Sequence, residues 1–372
     1  GPAAAPPASP WEYQLDTGVP RSTAINIPSP GYIVPSTLKN GSLLTTYAVN
    51  PNLKTGTTGS FNLTGQRQLT RTISLEAGYV GSISKHLSYA VGDINANLTS
   101  TSSTADGFIT PYLGKIQYLN DVGLSNFSSM QLKLTQQLSR NTSFLASYTW
   151  SHSLDNGPAP FNLGHVNNDQ PQNPYDLKSE YASSDTDLRH NFIFSGSYNL
   201  PFGTGQRFGP NWGPLTNAIL GGWRYSPIAA LHSGTPVNVV AGADPNSAEA
   251  GLRPNVTGNP NLVTGKRTIY QWFNTAAFSQ PKGTKAVPYP SGDAGRNLVV
   301  GPGYANLDSS LAKDFKWERY TLQVRAEAFN TFNTVHYSNP NADLSQQAYF
   351  GTITSVIGGS NRLAQLAAKI IF

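Results

Sequence analysis

Tyr320-Thr321-Leu322-Gln323-Val324-Arg325-Ala326-Glu327-Ala328-Phe329 decides how the chain is read. Tyr320, Leu322, Val324, Ala326 and Ala328 are apolar, while Thr321, Gln323, Arg325 and Glu327 between them are polar or charged. Strict alternation marks a β-strand, because successive side chains point to opposite faces of the sheet. One face of this strand is dry and the other wet. A half-buried strand of a water-soluble sheet looks the same, so the decision rests on recurrence. The alternation returns along the chain in segments of about ten residues, the length with which a tilted strand crosses a bilayer.

Eight further segments share the pattern. Phe61, Leu63 and Leu69 fall on one face, then Ile73, Leu75, Ala77 and Tyr79. Met130, Leu132 and Leu134 follow, then Phe144, Ala146, Tyr148 and Trp150, and then Phe192, Phe194, Tyr198 and Leu200. Strands over 223–231 and 305–315 precede the Tyr320 segment, and Leu366, Ala368, Ile370 and Phe372 close the chain. Breaks at 69–71, 139–141 and 316–318 are tight, whereas the connections 82–126, 152–189, 233–303 and 333–360 are long. The connection 201–222 is intermediate, with a helical turn expected over 215–220. Residues 1–59, rich in Pro, Ser, Thr, Asn and Gly, are expected as loop, and 60–372 as the barrel segment.

The pattern predicts an all-β fold: an antiparallel transmembrane β-barrel, or about nine strands of a larger one, in the bacterial outer membrane. Tight turns belong on the periplasmic side of such barrels and long loops outside. That orientation places Trp223, Phe315, Trp317 and Phe372 at the periplasmic ends of strands, and Trp150 and Phe192 at the outer ends, with Tyr79, Tyr304 and Phe329. Two aromatic belts result, as amphipathic rings favour both membrane interfaces. Midplane dry positions carry no charge, where Lys or Arg costs roughly 2–4 kcal/mol. Lys313 breaks the dry face near the periplasmic end, where it can snorkel. Glu76, Lys133, Gln323, Arg325 and Glu327 face the expected lumen. They form either a wall that meets substrate or a plug, or a ladder of cross-strand pairs that keeps the interior hydrated.

Composition narrows the alternatives. Charged residues are 12% and aromatics 11%, and mean hydropathy is -0.32, a balance foreign to helical membrane proteins and to most cytosolic enzymes. No run of about 18 apolar residues exists to span as a helix. Cysteine is absent, which removes disulfides, thiol nucleophiles and Cys-based metal sites. The net charge is +5, but Lys and Arg are scattered singly, so nucleic acid is not an expected partner. His152, His165 and His190 lie near Asp169, Asp176, Asp185 and Asp187 at spacings that match no metal motif. Ser233-Gly234-Thr235-Pro236 lacks a nucleophile elbow, and Gly203-Thr204-Gly205 lacks the Lys of a phosphate loop. No catalytic residue, cofactor or metal is expected.

Several stretches carry a resemblance. They are Asn50-Pro51-Asn52-Leu53-Lys54-Thr55, the run from Ser143 through Tyr148-Thr149-Trp150 to Ser153, and Asp187-Leu188-Arg189-His190-Asn191-Phe192. Leu200-Pro201-Phe202-Gly203, then Gly221-Gly222-Trp223 with Ser233-Gly234-Thr235-Pro236, and Arg325-Ala326-Glu327-Ala328-Phe329-Asn330 complete the order. Together they resemble the C-terminal part of Oar-like TonB-dependent outer-membrane transporters. The resemblance implies a barrel of about 22 strands with a plugged lumen, energised by the TonB complex through an N-terminal plug. No plug or TonB box is read in this sequence, so a truncated chain is expected. The implied function is uptake of a nutrient or other ligand that the sequence does not name. Outer-membrane lipid and the barrel-assembly machinery are the expected partners. The terminal Phe372, with apolar residues at alternate positions before it, resembles the signal that machinery reads. A secreted all-β carbohydrate- or ligand-binding module is the competing reading. It predicts strands of about five or six residues and extraction without detergent.

Overall fold

The computed structural model describes residues 46–95, 116–139, 141–157, 171–242, 252–282 and 291–372. In chain order, β1 (Thr46–Val49) precedes four long strands: β2 (Thr57–Gln68), β3 (Ile73–Asp93), β4 (Ile116–Ser139) and β5 (Thr142–Asp155). The two-residue β6 (Ala182–Ser183), then β7 (His190–Asn199), helix α1 (Pro214–Leu220) and β8 (Trp223–His232) follow. Four two-residue strands lie in the next connection: β9 (Pro236–Val237), β10 (Asn255–Val256), β11 (Phe278–Ser279) and β12 (Val299–Val300). The chain ends in β13 (Tyr304–Trp317), β14 (Tyr320–Phe329) and β15 (Leu363–Ile371). The nine long strands form one sheet in the order β2-β3-β4-β5-β7-β8-β13-β14-β15, each antiparallel to its neighbours. They are the nine strands expected from alternation. The sheet is open, with β2 and β15 at its edges.

Register shows why the alternation matters. Across the sheet, Leu75, Leu134, Ala146, Phe194, Ala229 and Leu307 stand opposite one another in turn. A second row continues the same face through Leu311, Ala326 and Leu366. The other face runs through Glu76, Lys133 and Ser147, and through Ser310, Glu327 and Gln365. The period of two in each strand thus becomes one apolar and one polar surface for the whole sheet.

Two expectations are corrected. β3 and β4 do not end at residue 82 or begin at 126; they reach 93 and 116, and pair over that length with register shifts after Ser84. At about 3.4 Å per residue such strands far exceed a hydrocarbon core of about 30 Å, so their far halves stand clear of lipid and need no strict alternation. The segment 1–59 also contains structure. β1 pairs in parallel with the start of β4, and β2 begins at Thr57. The expected helical turn is α1.

Candidate functional site

Gln323, Arg325 and Glu327 project from the polar face of β14 into one hollow of about 520 Å³, shared with Ser197 of β7, Arg224 of β8 and Ser310 of β13. Arg325 Nε stands 3.1 Å from Glu327 Oε1. Glu327 also accepts a hydrogen bond from the Gln365 carboxamide, and Gln323 Nε2 donates to Asp314 Oδ1 at 2.8 Å. Glu76 and Lys133 do not join this group. They oppose each other directly between β3 and β4, with four strands between Lys133 and β14. The five polar candidates therefore make two separate clusters on one wall.

Five of the six aromatics expected in belts lie on the apolar face by register. Trp150 stands opposite Met130, Phe192 opposite Leu231 and Trp223 opposite Lys313. Phe315 stands opposite Leu322 and Trp317 opposite Tyr320, while Phe372 follows Ile371 and is almost wholly exposed. Trp150 and Phe192 lie toward the long connections and the others toward the tight turns. Tyr304 and Phe329 differ: their register puts them on the polar face, where Tyr304 stacks on His232 at 5.0 Å and lies 4.1 Å from His336. Ser309 and Lys313 interrupt the apolar face of β13, and both find partners. Ser309 Oγ bonds the Tyr225 hydroxyl and Thr331 Oγ1 at 3.0 Å each. The Lys313 ammonium donates to Asn217 O at 3.0 Å and to Gly221 O, so it is bonded to backbone and does not snorkel.

The long connections hold a feature that a polar composition conceals. Val237, Val239, Phe273, Phe278, Val299 and Phe350 form a buried cluster. Phe273 meets Phe278 and Phe350 edge-on, with centroids 5.7 and 5.1 Å away. These residues come from the β8–β13 and β14–β15 connections. The β5–β7 connection is tied to them by ions: Arg253 Nη1 lies 2.6 Å from Glu180 Oε2, with side chains only 3% and 2% exposed. Glu180 Oε1 accepts from Gln172 N at 3.1 Å, and Arg296 bonds Asp155 and Glu180 O. The outer connections thus fold into a cap with its own core. Lone aromatics inside the 233–303 stretch, Phe273 and Phe278 above all, are the signal that was there to find. The Tyr175 hydroxyl donates to Ile94 O at 2.6 Å; burial pushes it above the ordinary phenol range, and the Asp93 carboxylate adds to that.

Within the cap a polar hollow of about 450 Å³ is lined by Asp185, Asn238, Asn297, Asn341 and Asp343, among others. Among the described residues, Asn238 Oδ1 and Asn297 Oδ1 are buried without a donor. Its chemistry suits a ligand that donates hydrogen bonds. Among the described residues, His152 Nδ1 lies 3.1 Å from Asp187 Oδ2 and His190 Nδ1 lies 2.7 Å from the Tyr148 hydroxyl; His165 and Asp169 are outside the described residues.

Several of the stretches that carry the resemblance tie connections together. Asp187 accepts from Ser153 N at 2.8 Å, which joins two of them. Asn330 is buried with φ 48°; its Nδ2 donates to Thr334 O at 2.8 Å and to Ser360 O at 2.7 Å, closing the β14–β15 connection. Lys54 N donates to Asp121 Oδ2 at 3.1 Å. At Gly234 a Cβ would lie 1.9 Å from Gly301 O, so only glycine admits the approach of the two loop ends.

The outer membrane transporter YddB from Escherichia coli is 10% identical, with a TM-score of 0.45 over 89% of this chain and 34% of that one. The FrpB iron transporter from Neisseria meningitidis is 9% identical, with a TM-score of 0.41 over 87% of this chain and 33% of that one. The chain thus spans about a third of those structures. No curated protein matches the chain. The family model described as outer membrane beta barrel domain matches residues 3–365. Nine antiparallel strands with one apolar and one polar face, and a match over nearly the whole sequence, show that the chain belongs to the outer membrane β-barrel domain family.

Proposed function

We propose that this chain forms part of the wall of a TonB-dependent receptor, which takes up a ligand across the outer membrane. The observation that carries the reading is a polar wall on one face of the sheet combined with long connections folded into a cap that holds an acceptor-rich hollow. In this reading the ligand meets the hollow near Asn238 and Asn297 first and then passes the wall of Glu76, Lys133, Gln323, Arg325 and Glu327. Energy from the TonB complex would arrive through a plug, and the chemistry asked of the chain is recognition rather than catalysis. Strand β15, with Leu366, Ala368 and Ile370 on one face and Phe372 following it, is the segment offered to the assembly machinery.

The test compares native cells with cells lacking the gene, measuring which solutes disappear from a defined medium. At least one solute should be depleted only when the gene is present and the proton gradient is intact. Paired Arg325→Ala and Glu327→Ala changes should slow that depletion without lowering the amount of protein in the outer membrane. Depletion that survives a protonophore would identify a passive pore and overturn the reading.

A further inference from the structure

Helix α1, Pro214-Leu215-Thr216-Asn217-Ala218-Ile219-Leu220, contains no charged residue and buries no side chain. Leu215 is 76% exposed, Ile219 58% and Leu220 52%. Seven residues are far fewer than the roughly 12–15 that a helix needs to persist alone in water. Its C-terminal end is held by two donors from the apolar face of the sheet. Lys313 Nζ donates to Asn217 O at 3.0 Å and to Gly221 O, and Trp223 Nε1 donates to Ile219 O at 2.8 Å. Lys313 Nζ also lies 5.7 Å from the centroid of Trp223 and 5.1 Å from that of Phe315. Each requirement is met by the other. An ammonium on a lipid-facing surface is costly, as are unpaired helix carbonyls in hydrocarbon. A cation at a helix C-terminus also complements its dipole.

The surroundings indicate what covers the exposed side. α1 is bonded to Trp223, and through Lys313 it is linked to Phe315 on the apolar face, at the tight-turn end of the sheet. Arg207 lies over the Phe208 ring at 5.4 Å and Arg319 over the Tyr320 ring at 5.1 Å in the connections of that same end. Apolar side chains beside basic groups on aromatic rings match the boundary between acyl chains and phosphate headgroups.

We propose that the 201–222 connection is a membrane-interface anchor. α1 lies against the lipid-facing surface, with Leu215, Ile219 and Leu220 in the acyl boundary of the periplasmic-side leaflet. Arg207 and Arg319 stand at the headgroups of that phospholipid layer. Lys313 is the tether that fixes the helix to the wall. The inference rests on the barrel reading, and its test keeps the two apart.

This chain contributes no cysteine, so single nitroxides can be attached at Leu215→Cys, Ile219→Cys, Val324→Cys and Lys266→Cys in the complete barrel that contains it, reconstituted in phospholipid vesicles. Collisions with oxygen, which enters lipid, are compared with those of a water-soluble nickel chelate. Leu215→Cys and Ile219→Cys should favour oxygen, as Val324→Cys does on the lipid face, while Lys266→Cys in the cap favours nickel. Nickel access at both helix positions would place α1 in water and overturn the anchor. Low access to both reagents would mean that protein covers the helix, with the same consequence. Nickel access at Val324→Cys would instead bring down the barrel reading on which the anchor stands.

Discussion

Ala326 and Gln323 show how register assigns a residue its permitted chemistry. Ala326 stands between Leu311 and Leu366 on the apolar face, whereas Gln323 bonds Asp314 on the polar one. Ala326→Arg should cost about 2–4 kcal/mol at mid-membrane and deplete the assembled, heat-modifiable form. Gln323→Arg adds the same charge and should leave assembly nearly intact. Equal losses would contradict the assignment of faces. In the cap, removing Arg253 strands the carboxylate of Glu180, which is 2% exposed. Arg253→Ala should therefore destabilise the cap by about 3–5 kcal/mol, whereas Arg253→Met with Glu180→Leu removes both charges and should cost much less. Protease sensitivity of the outer connections, measured across a denaturant series, separates the two. If the double variant is no better than the single, the buried pair is not what holds the β5–β7 connection.

The strands were legible because lipid enforces alternation wherever a side chain meets hydrocarbon. Tyr320–Phe329 and its eight counterparts could be read one by one, and so could α1 from its apolar run. Beyond the membrane the constraint lapses. The far half of β3 buries Tyr89 and Val91 without the long alternating run that would announce a strand. β1 is four residues paired in parallel with β4, too short to show any period. The cap was illegible for a related reason. Its core draws Val237, Phe273, Phe278, Val299 and Phe350 from distant points in polar sequence, and no local period links them. Lys313 was legible as an intrusion, but its partners were not, because Asn217 and Gly221 offer backbone carbonyls. The placement of the connections is open to direct test. Lys266 and Lys316 are both exposed, one in the cap and one at the tight-turn end of β13. Lys266→Cys should react with an impermeant maleimide on intact cells, and Lys316→Cys only after the outer membrane is opened. The reverse pattern would invert the orientation.

As a whole the molecule divides its stability between two solvents. The cap is a water-side structure with a packed aromatic core and buried ion pairs. The sheet has little core of its own: β2 is exposed at every described position and β15 at nearly every one. Such a sheet makes sense only where hydrocarbon covers one face. Its edges at β2 and β15 carry backbone groups that hydrocarbon does not satisfy, so in the membrane both must pair with further strands. The central claim is that one face of this sheet meets lipid and the other water. It is tested most directly by replacing Thr321 to Ala328 one at a time with cysteine, in membranes containing the protein, and measuring the rate of reaction with a water-soluble maleimide. The account predicts a period of two, with fast labelling at Thr321, Gln323, Arg325 and Glu327 and slow labelling at Leu322, Val324, Ala326 and Ala328. Uniformly fast labelling, with extraction in the absence of detergent, would show a sheet that stands in water and would contradict it.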